Sequence, residues 1–191
     1  MERPGVNDTA KRAVFLDRDG TIMDDVGYPT SPDQIRILPG VPPALRRLRQ
    51  AGFLLLVVTN QSALARGWLT EAQLEAIHLR LNETLGAEGA QIDAFYHCPH
   101  LPDGRIERYA RDCECRKPAP GLLLRAASDW GVELSRSYMV GDSPRDVEAG
   151  RRAGCHSILI GPAAPGRGES HADDLAAAVE MILEGERSDQ A

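Results

Sequence analysis

Apolar residues recur along the chain in two periods, one typical of strands and the other of helices. The run from Phe53 to Thr59 is almost continuously apolar and has the length of a strand, and a shorter run spans Ala13 to Asp17. Runs of this kind predict strands that are buried on both faces of a sheet. Further strands are predicted at 92–98, 137–140 and 155–160.

Helical spacing dominates between these strands. Thr70 and Gln73 form a capping-box pattern, after which leucine and isoleucine recur every three or four residues up to Leu85. Further helices are predicted at 42–50, 121–130, 144–153 and 173–183, with a Pro/Gly loop at 161–168 before the last of them. Alternating strands and helices predict an α/β fold, a doubly wound parallel sheet covered on both faces. No repeat or linker is visible, so a single domain is predicted over residues 1–191.

Composition and charge exclude several classes of protein. The 191 residues are 42% hydrophobic and 26% charged, which is typical of a folded globular chain, and the net charge is −6. An acidic protein lacks the field that attracts nucleic acid or anionic membranes. The first residues contain no apolar export signal, and the apolar run at 53–58 is too short to cross a bilayer. We therefore expect a cytoplasmic protein with no nucleic-acid or membrane partner.

Polar side chains follow the predicted strands where each strand ends. In parallel sheets these ends share one edge, where ligands bind, so we expect the side chains to converge there. Asp17 and Asp19 follow the first strand, and two carboxylates this close resist ionisation unless a cation such as Mg²⁺ lies between them. One carboxylate could then act as a nucleophile and the other could transfer protons. The alternative is an aspartate pair that only caps a turn.

Other strand ends add groups suited to a phosphate. Thr59 and Asn60 follow the second strand and offer neutral donors to phosphate oxygens. Lys117 offers a compact positive charge, and Asp142 offers a third carboxylate to the metal. We expect Asp146 to support the metal indirectly or to cap its loop.

A second metal site is predicted between the third strand and the following helix. Cys98-x-His100 is followed, after twelve residues, by Cys113-x-Cys115. One imidazole and three thiolates suit a closed, tetrahedral zinc site, although four such residues could also be unligated side chains in a loop. We expect the zinc to be structural and to hold the loop 98–117, which carries Arg116 and Lys117. Cys155 is expected to pack within the fifth strand.

Four motifs occur in an order that resembles the haloacid dehalogenase superfamily of phosphatases: DRDGT (17–21), TNQS (59–62), RKP (116–118) and GDSPRD (141–146). The resemblance implies a Rossmann-like, capless fold with an aspartyl-phosphate mechanism. Asp17 would be the nucleophile, Asp19 the proton donor and acceptor, and Thr59 and Lys117 would hold the phosphoryl oxygens. Magnesium would lie among the side chains of Asp17 and Asp142 and the backbone carbonyl of Asp19.

The zinc loop makes the chain similar, within that superfamily, to the heptose 1,7-bisphosphate 7-phosphatases. That similarity implies a small phosphosugar substrate, and we expect the protein to be a monomer. The implied substrate-binding residues are Asp25, Gly27, Tyr28, Asn60, Gln61, Ser62, Arg66 and Arg116, with Arg66 a candidate for a distal phosphate.

Two residues depart from the usual motifs of that family, Ala63 after TNQS and Ser143 after Gly-Asp. Neither change removes a catalytic group, but both could alter preference for the sugar or its anomer. Histidinol-phosphate phosphatases share the zinc loop and are the alternative. A non-catalytic, zinc-stabilised binding module is a further alternative, although binding alone would not require the full set of acidic and basic residues.

Overall fold

Six parallel strands form the centre of the computed structural model, which describes residues 10–162, 166 and 170–188. The strands are β1 (Ala13–Leu16), β2 (Leu54–Asn60), β3 (Ala94–Cys98), β4 (Tyr138–Gly141), β5 (His156–Ile160) and β6 (Ser170–Ala172). Their order across the sheet is β3-β2-β1-β4-β5-β6. β1 therefore lies inside the sheet, with Phe15 in register with Leu56 on one side and Met139 on the other.

The described residues form six α-helices, of which the first five lie between strands and the last follows β6: α1 (Val41–Gln50), α2 (Ala63–Arg66), α3 (Glu71–Ala87), α4 (Gly121–Trp130), α5 (Pro144–Ala153) and α6 (Leu175–Ser188). The alternating side chains of β1 show which helices cover each face of the sheet. Val14 and Leu16 face a core formed with α1, α3 and α6, whereas Ala13 and Phe15 face a core formed with α4 and α5. Both faces of the sheet are covered, which confirms the predicted α/β class and explains why the strands lack polar alternation.

Local signals account for several helix ends. The Thr70 hydroxyl accepts from the Gln73 backbone N–H, and the Gln73 side chain accepts from the Thr70 N–H, so the predicted capping box is present. α5 begins with Pro144 after the cap residue Ser143, and it ends at Gly154, whose φ of 87° is left-handed.

The structure differs from the predicted elements in a few places. Most strand bounds move by one or two residues, and the last helix spans Leu175–Ser188 instead of 173–183. Among the strands and α-helices of the described residues, two were not predicted: α2 has a single turn, in which a helical period cannot repeat, and β6 has only three residues at the sheet edge. The predicted loop at 161–168 lies largely outside the described residues. Within the described part of the chain, no helix is both long and apolar enough to cross a membrane.

Candidate active site

A cavity of about 440 Å³ opens at the carboxyl edge of the sheet, beyond β1, β2 and β4. The predicted catalytic, substrate and magnesium residues line this cavity, with the exception of Gln61. They are Asp17, Asp19, Asp25, Gly27, Tyr28, Thr59, Asn60, Ser62, Arg66, Arg116, Lys117 and Asp142. The expected convergence of the strand ends is therefore present, and Ser143, Arg145 and Asp146 complete the lining.

Lys117 lies at the bottom of the cavity with only 2% of its surface exposed. Its Nζ is 2.8 Å from Asp17 Oδ1 and 2.7 Å from Asp146 Oδ1, and it donates to the Val58 carbonyl at 2.7 Å. Burial acts to lower the pKa of Lys117, but the attraction of the two carboxylates outweighs it and raises the pKa above its ordinary value. Lys117 is thus a permanent cation in the floor of the site.

Asn60 explains how the chain holds Lys117 in this place. Its side-chain Nδ2 donates to the Lys117 carbonyl at 3.1 Å, and its Oδ1 accepts from the Lys117 backbone N–H at 3.0 Å. Asn60 was predicted as a phosphate donor, and it does line the cavity. Both of these hydrogen bonds, however, join it to the Lys117 backbone, so its amide positions the lysine.

Three carboxylates form a cluster beside this lysine. Oxygen atoms of Asp17, Asp142 and Asp146 all lie within 4.8 Å of one another. Burial raises the pKa of Asp142 to about 6, with further contributions from Asp17 and Asp146, so the cluster resists full ionisation without a cation. Gly20 leaves the space that Asp142 occupies, because a Cβ there would lie 2.1 Å from Asp142 Oδ2. Such a donor set fits a hard divalent ion such as Mg²⁺.

Asp146 also has the capping role expected from the sequence. Its Oδ2 accepts from the backbone N–H of Ser143 at 3.0 Å, at the beginning of α5. Its other oxygen faces Lys117, so one residue links the helix start to the charged floor of the cavity.

Asp19 is held by a buried polar network that the sequence analysis did not anticipate. The guanidinium of Arg18 donates to both Asp19 carboxylate oxygens, at 2.9 Å, although Arg18 is fully buried. The Gln61 amide donates to Asp19 Oδ2 at 3.0 Å. Burial raises the pKa of Asp19, and the attraction of Arg18 offsets only part of that rise. A raised pKa favours the protonated form that a general acid needs.

Gln61 lies beneath the cavity, where it joins Asp19 to Thr59. Its Nε2 donates to Thr59 Oγ1 at 2.9 Å as well as to Asp19. Because the Thr59 oxygen accepts this bond, the hydroxyl proton remains available to an acceptor in the cavity. The geometry thus makes Gln61 an orienting group for two residues that do line the site.

His78, on α3, completes the network. Arg18 Nη1 lies 3.2 Å from His78 Nε2, and the imidazole stacks on Phe95 with ring centroids 4.6 Å apart. Burial, with the Arg18 charge, lowers the pKa of His78 to about 3. The ring is therefore neutral and accepts from Arg18. Helical periodicity marks His78 only as a helix position, so no local signal pairs it with Arg18.

The four predicted zinc ligands come together in one group. The Cys115 sulfur lies 3.1 Å from the Cys98 sulfur and 3.3 Å from the Cys113 sulfur, and 3.2 Å from His100 Nδ1. The two sulfur–sulfur distances are longer than the bond of a disulfide. They approach the roughly 3.8 Å that separates two sulfur ligands arranged tetrahedrally about zinc. Burial lowers the pKa of His100, which favours the neutral imidazole that a metal requires. Cys155 lies outside the group, as expected.

The segment that carries these ligands also forms one wall of the cavity. Arg116 follows Cys115 directly, lines the cavity, and donates to the His100 carbonyl at 3.2 Å. Farther along the loop, the Ile106 N–H donates to the Ala65 carbonyl of α2 at 2.9 Å. Bringing the four ligands together therefore places Arg116 and braces the short helix that carries Arg66.

Comparisons with known proteins agree with this geometry. The family described as "HAD-hyrolase-like" matches residues 114–182. The chain is 40% identical to a D-glycero-beta-D-manno-heptose-1,7-bisphosphate 7-phosphatase of Yersinia pestis, over 84% of this chain and 87% of that protein. It is 45% identical to the protein of that name from Escherichia coli K12, over 72% of each chain.

Solved structures of similar proteins agree with these sequence matches. A D,D-heptose 1,7-bisphosphate phosphatase from B. bronchiseptica, solved with magnesium and phosphate, is 36% identical and superposes with a TM-score of 0.80 over 91% of this chain and 99% of that one. A HAD-like phosphatase from Mesorhizobium loti is 37% identical, with a TM-score of 0.81 over 91% and 88% of the two chains.

The parallel sheet, the aspartates at its carboxyl edge and these matches define a HAD-like phosphatase, a phosphoric monoester hydrolase. Most of the chain aligns, at 40–45% identity, with proteins named as heptose 1,7-bisphosphate 7-phosphatases. The chain belongs to the D-glycero-beta-D-manno-heptose-1,7-bisphosphate 7-phosphatase family.

Proposed function

We propose that the protein is a magnesium-dependent phosphatase that removes the C7 phosphate of D-glycero-D-manno-heptose 1,7-bisphosphate and leaves heptose 1-phosphate. One observation carries the proposal: a single cavity joins a floor of Asp17, Lys117 and Asp142 to further cations that include Arg66 and Arg116. The floor suits a reacting phosphoryl group, and the arginines suit a second, non-reacting phosphate. The names of the relatives support the same substrate.

The carboxylate cluster supports magnesium as the cofactor. Asp17 and Asp142 would hold the ion, together with the backbone carbonyl of Asp19, and the ion would neutralise charge on the phosphoryl group. The raised pKa of Asp142 supports a cation in this cluster.

The chain's own residues supply the proposed chemistry. A carboxylate oxygen of Asp17 attacks phosphorus, the bond from phosphorus to the sugar oxygen breaks, and Asp19 gives its proton to that oxygen. Asp19 then takes a proton from water, which attacks the aspartyl-phosphate and releases inorganic phosphate. Thr59 and Lys117 hold the phosphoryl oxygens throughout, and positioning of this kind supplies much of the rate in phosphoryl transfer.

Zinc is the metal that we propose for the cysteine and histidine group, in a structural role. Four protein ligands leave no open position for substrate. Because the thiols must stay reduced to bind the metal, the group also supports a cytoplasmic location. The proposal includes a monomer, which sedimentation of the zinc-loaded protein would check.

A substrate panel tests the proposed function. Phosphate release would be measured, with magnesium, from both anomers of heptose 1,7-bisphosphate, from histidinol phosphate and from an aryl phosphate. We expect the highest kcat/KM for a bisphosphate anomer, and a loss of at least about 10³ in kcat for Asp17→Asn. A kcat/KM for histidinol phosphate that equals or exceeds both anomers would overturn the substrate assignment. No release from any substrate by zinc-loaded protein would favour the binding module instead.

A further inference from the structure

Two exposed aromatic side chains lie in contact beside the active-site cavity: Tyr28 lines the cavity, and Trp68 packs against Tyr28. Tyr28, on the loop that follows Asp19, is 42% exposed, and Trp68, directly after α2, is 48% exposed. Their ring centroids are 4.9 Å apart with an angle of 73° between the planes, an edge-to-face arrangement. Adjacent exposed aromatics contribute little to a core, and such surface groups commonly mark a place where a ligand binds.

Arg66 lies against both rings. Its Cζ is 5.1 Å from the centroid of the Trp68 ring and 5.8 Å from that of Tyr28. Both distances fall within the range of a cation–π interaction, which is strongest with tryptophan. The aromatic pair therefore restricts where the guanidinium can lie, and Arg66 itself lines the cavity.

The guanidinium donors of Arg66 have no acceptor among the residues that the structure describes. In that part of the chain, Nε is buried and has no hydrogen-bond partner. Among the ion pairs of the described residues, none joins Arg66 to a carboxylate. A buried, unpaired donor is costly, so a guanidinium held by rings and not by an acid is suited to an external anion.

The turn after α2 accounts for the position of Trp68. Gly67 ends the helix with a φ of 73°, in the left-handed region that other residues rarely adopt. The Trp68 N–H then donates to the Ala63 carbonyl at 3.0 Å, which returns the chain toward the helix that carries Arg66.

We propose that Trp68, together with Tyr28, is a specificity-determining positioning residue that holds Arg66 toward the distal, non-reacting phosphate of the substrate. The inference rests on the proposed function, because it requires a substrate with a second phosphate. Trp68 acts through Arg66, so its removal weakens recognition of the bisphosphate more than of a monophosphate.

Kinetics with matched substrates test this role. The ratio of kcat/KM for heptose 1,7-bisphosphate to that for heptose 7-phosphate isolates the distal phosphate. We expect Trp68→Ala to lower this ratio by about 3- to 30-fold, mainly through a higher KM for the bisphosphate, and Trp68→Phe to restore much of it. Arg66→Gln should lower the ratio by at least about 10-fold. Leu124→Ala, which removes an exposed apolar side chain on α4, is the control and should leave the ratio unchanged.

The outcomes separate the two proposals. A wild-type ratio near one would refute the bisphosphate substrate itself. If the wild-type protein clearly prefers the bisphosphate and the ratio for Trp68→Ala stays within about two-fold of the wild-type ratio, the role of Trp68 is overturned. The proposed function would then remain intact. Circular dichroism of each variant shows whether it is folded, and we expect Trp68→Ala to fold because its side chain lies at the surface.

Fluorescence provides a readout that does not depend on turnover. The chain has two tryptophans, so Trp130→Phe leaves Trp68 as the only tryptophan, whose emission can be excited selectively, and Asp17→Asn prevents hydrolysis. We expect heptose 1,7-bisphosphate to change the emission of this double variant, with little change from heptose 7-phosphate or inorganic phosphate. An equal change with inorganic phosphate would show that the signal reports the reacting end of the cavity, which would contradict the proposal.

Discussion

Replacing Lys117 by methionine would remove the buried cation of the active site while keeping an unbranched side chain of similar length. In the native protein, Nζ pairs with Asp17 and Asp146 at 2.8 and 2.7 Å and donates to the Val58 carbonyl. Methionine can form none of these interactions. The substitution would leave the carboxylates of Asp17 and Asp146 beside that of Asp142 without their protein cation.

The magnitude follows from the burial of the pair. Removing one partner of a buried ion pair costs about 3 to 5 kcal/mol. We expect the lower end of that range at pH 8, because the Asp17 side chain is 15% exposed and water can solvate part of its charge. The loss should shrink toward pH 5, since burial already raises the pKa of Asp142 to about 6 and that of Asp146 as well. Without Lys117 these groups take up protons, which removes the repulsion.

Urea unfolding of the zinc-loaded protein, without added magnesium, measures this change at pH 8 and pH 5. The other lysine, Lys11, supplies a matched control, because it is exposed and its Nζ only approaches the Trp130 ring, at 5.9 Å. Lys11→Met should change the free energy of unfolding by less than about 1 kcal/mol. Magnesium should restore part of the stability of Lys117→Met. A loss no larger than that of the control, or one that is equal at the two pH values, would refute the reasoning.

Three further predictions concern other parts of the site. Cys113→Ser should bind less than one zinc per chain and lose activity as Arg116 becomes misplaced; full zinc content by elemental analysis would contradict this. Asp19→Asn should lower kcat on sugar phosphates by about 10² to 10⁴, and less on an aryl phosphate, whose leaving group needs no proton; equal losses would argue against the acid role. His78 has a pKa of about 3 in the folded protein, below its unfolded value, so the unfolded state binds more protons below pH 6.5. Stability should therefore fall by about 2 kcal/mol from pH 7 to pH 5 through this group, and His78→Gln should flatten that slope in urea titrations; equal slopes would contradict the assignment.

Much of the fold follows from local features of the chain. Strand runs that are apolar on both faces require a sheet covered on both sides, and alternating helices require it to be parallel. Parallel strands bring their carboxyl ends to one edge, so the sequence alone assigns Asp17, Thr59 and Asp142 to one site. The cysteine and histidine spacing likewise predicted a metal site, because its ligand types are unusual in combination. α2, with a single turn, and β6, with three residues, were missed, since neither is long enough for its hydrophobic period to repeat.

Only the tertiary structure decided how the predicted groups interact. The sequence places Lys117 at the end of the zinc loop 98–117. Its burial between Asp17 and Asp146, however, depends on three separate elements packing together. Gln61 belongs to a recognised motif, yet its amide points beneath the cavity and orients Asp19 and Thr59 instead of lining the cavity. Periodicity reports which face of an element is buried, whereas the partner of a buried polar group depends on distance and angle across the fold. For that physical reason the sequence by itself determined the parallel sheet and the edge where the site lies, and packing decided which groups carry, orient or neutralise charge there.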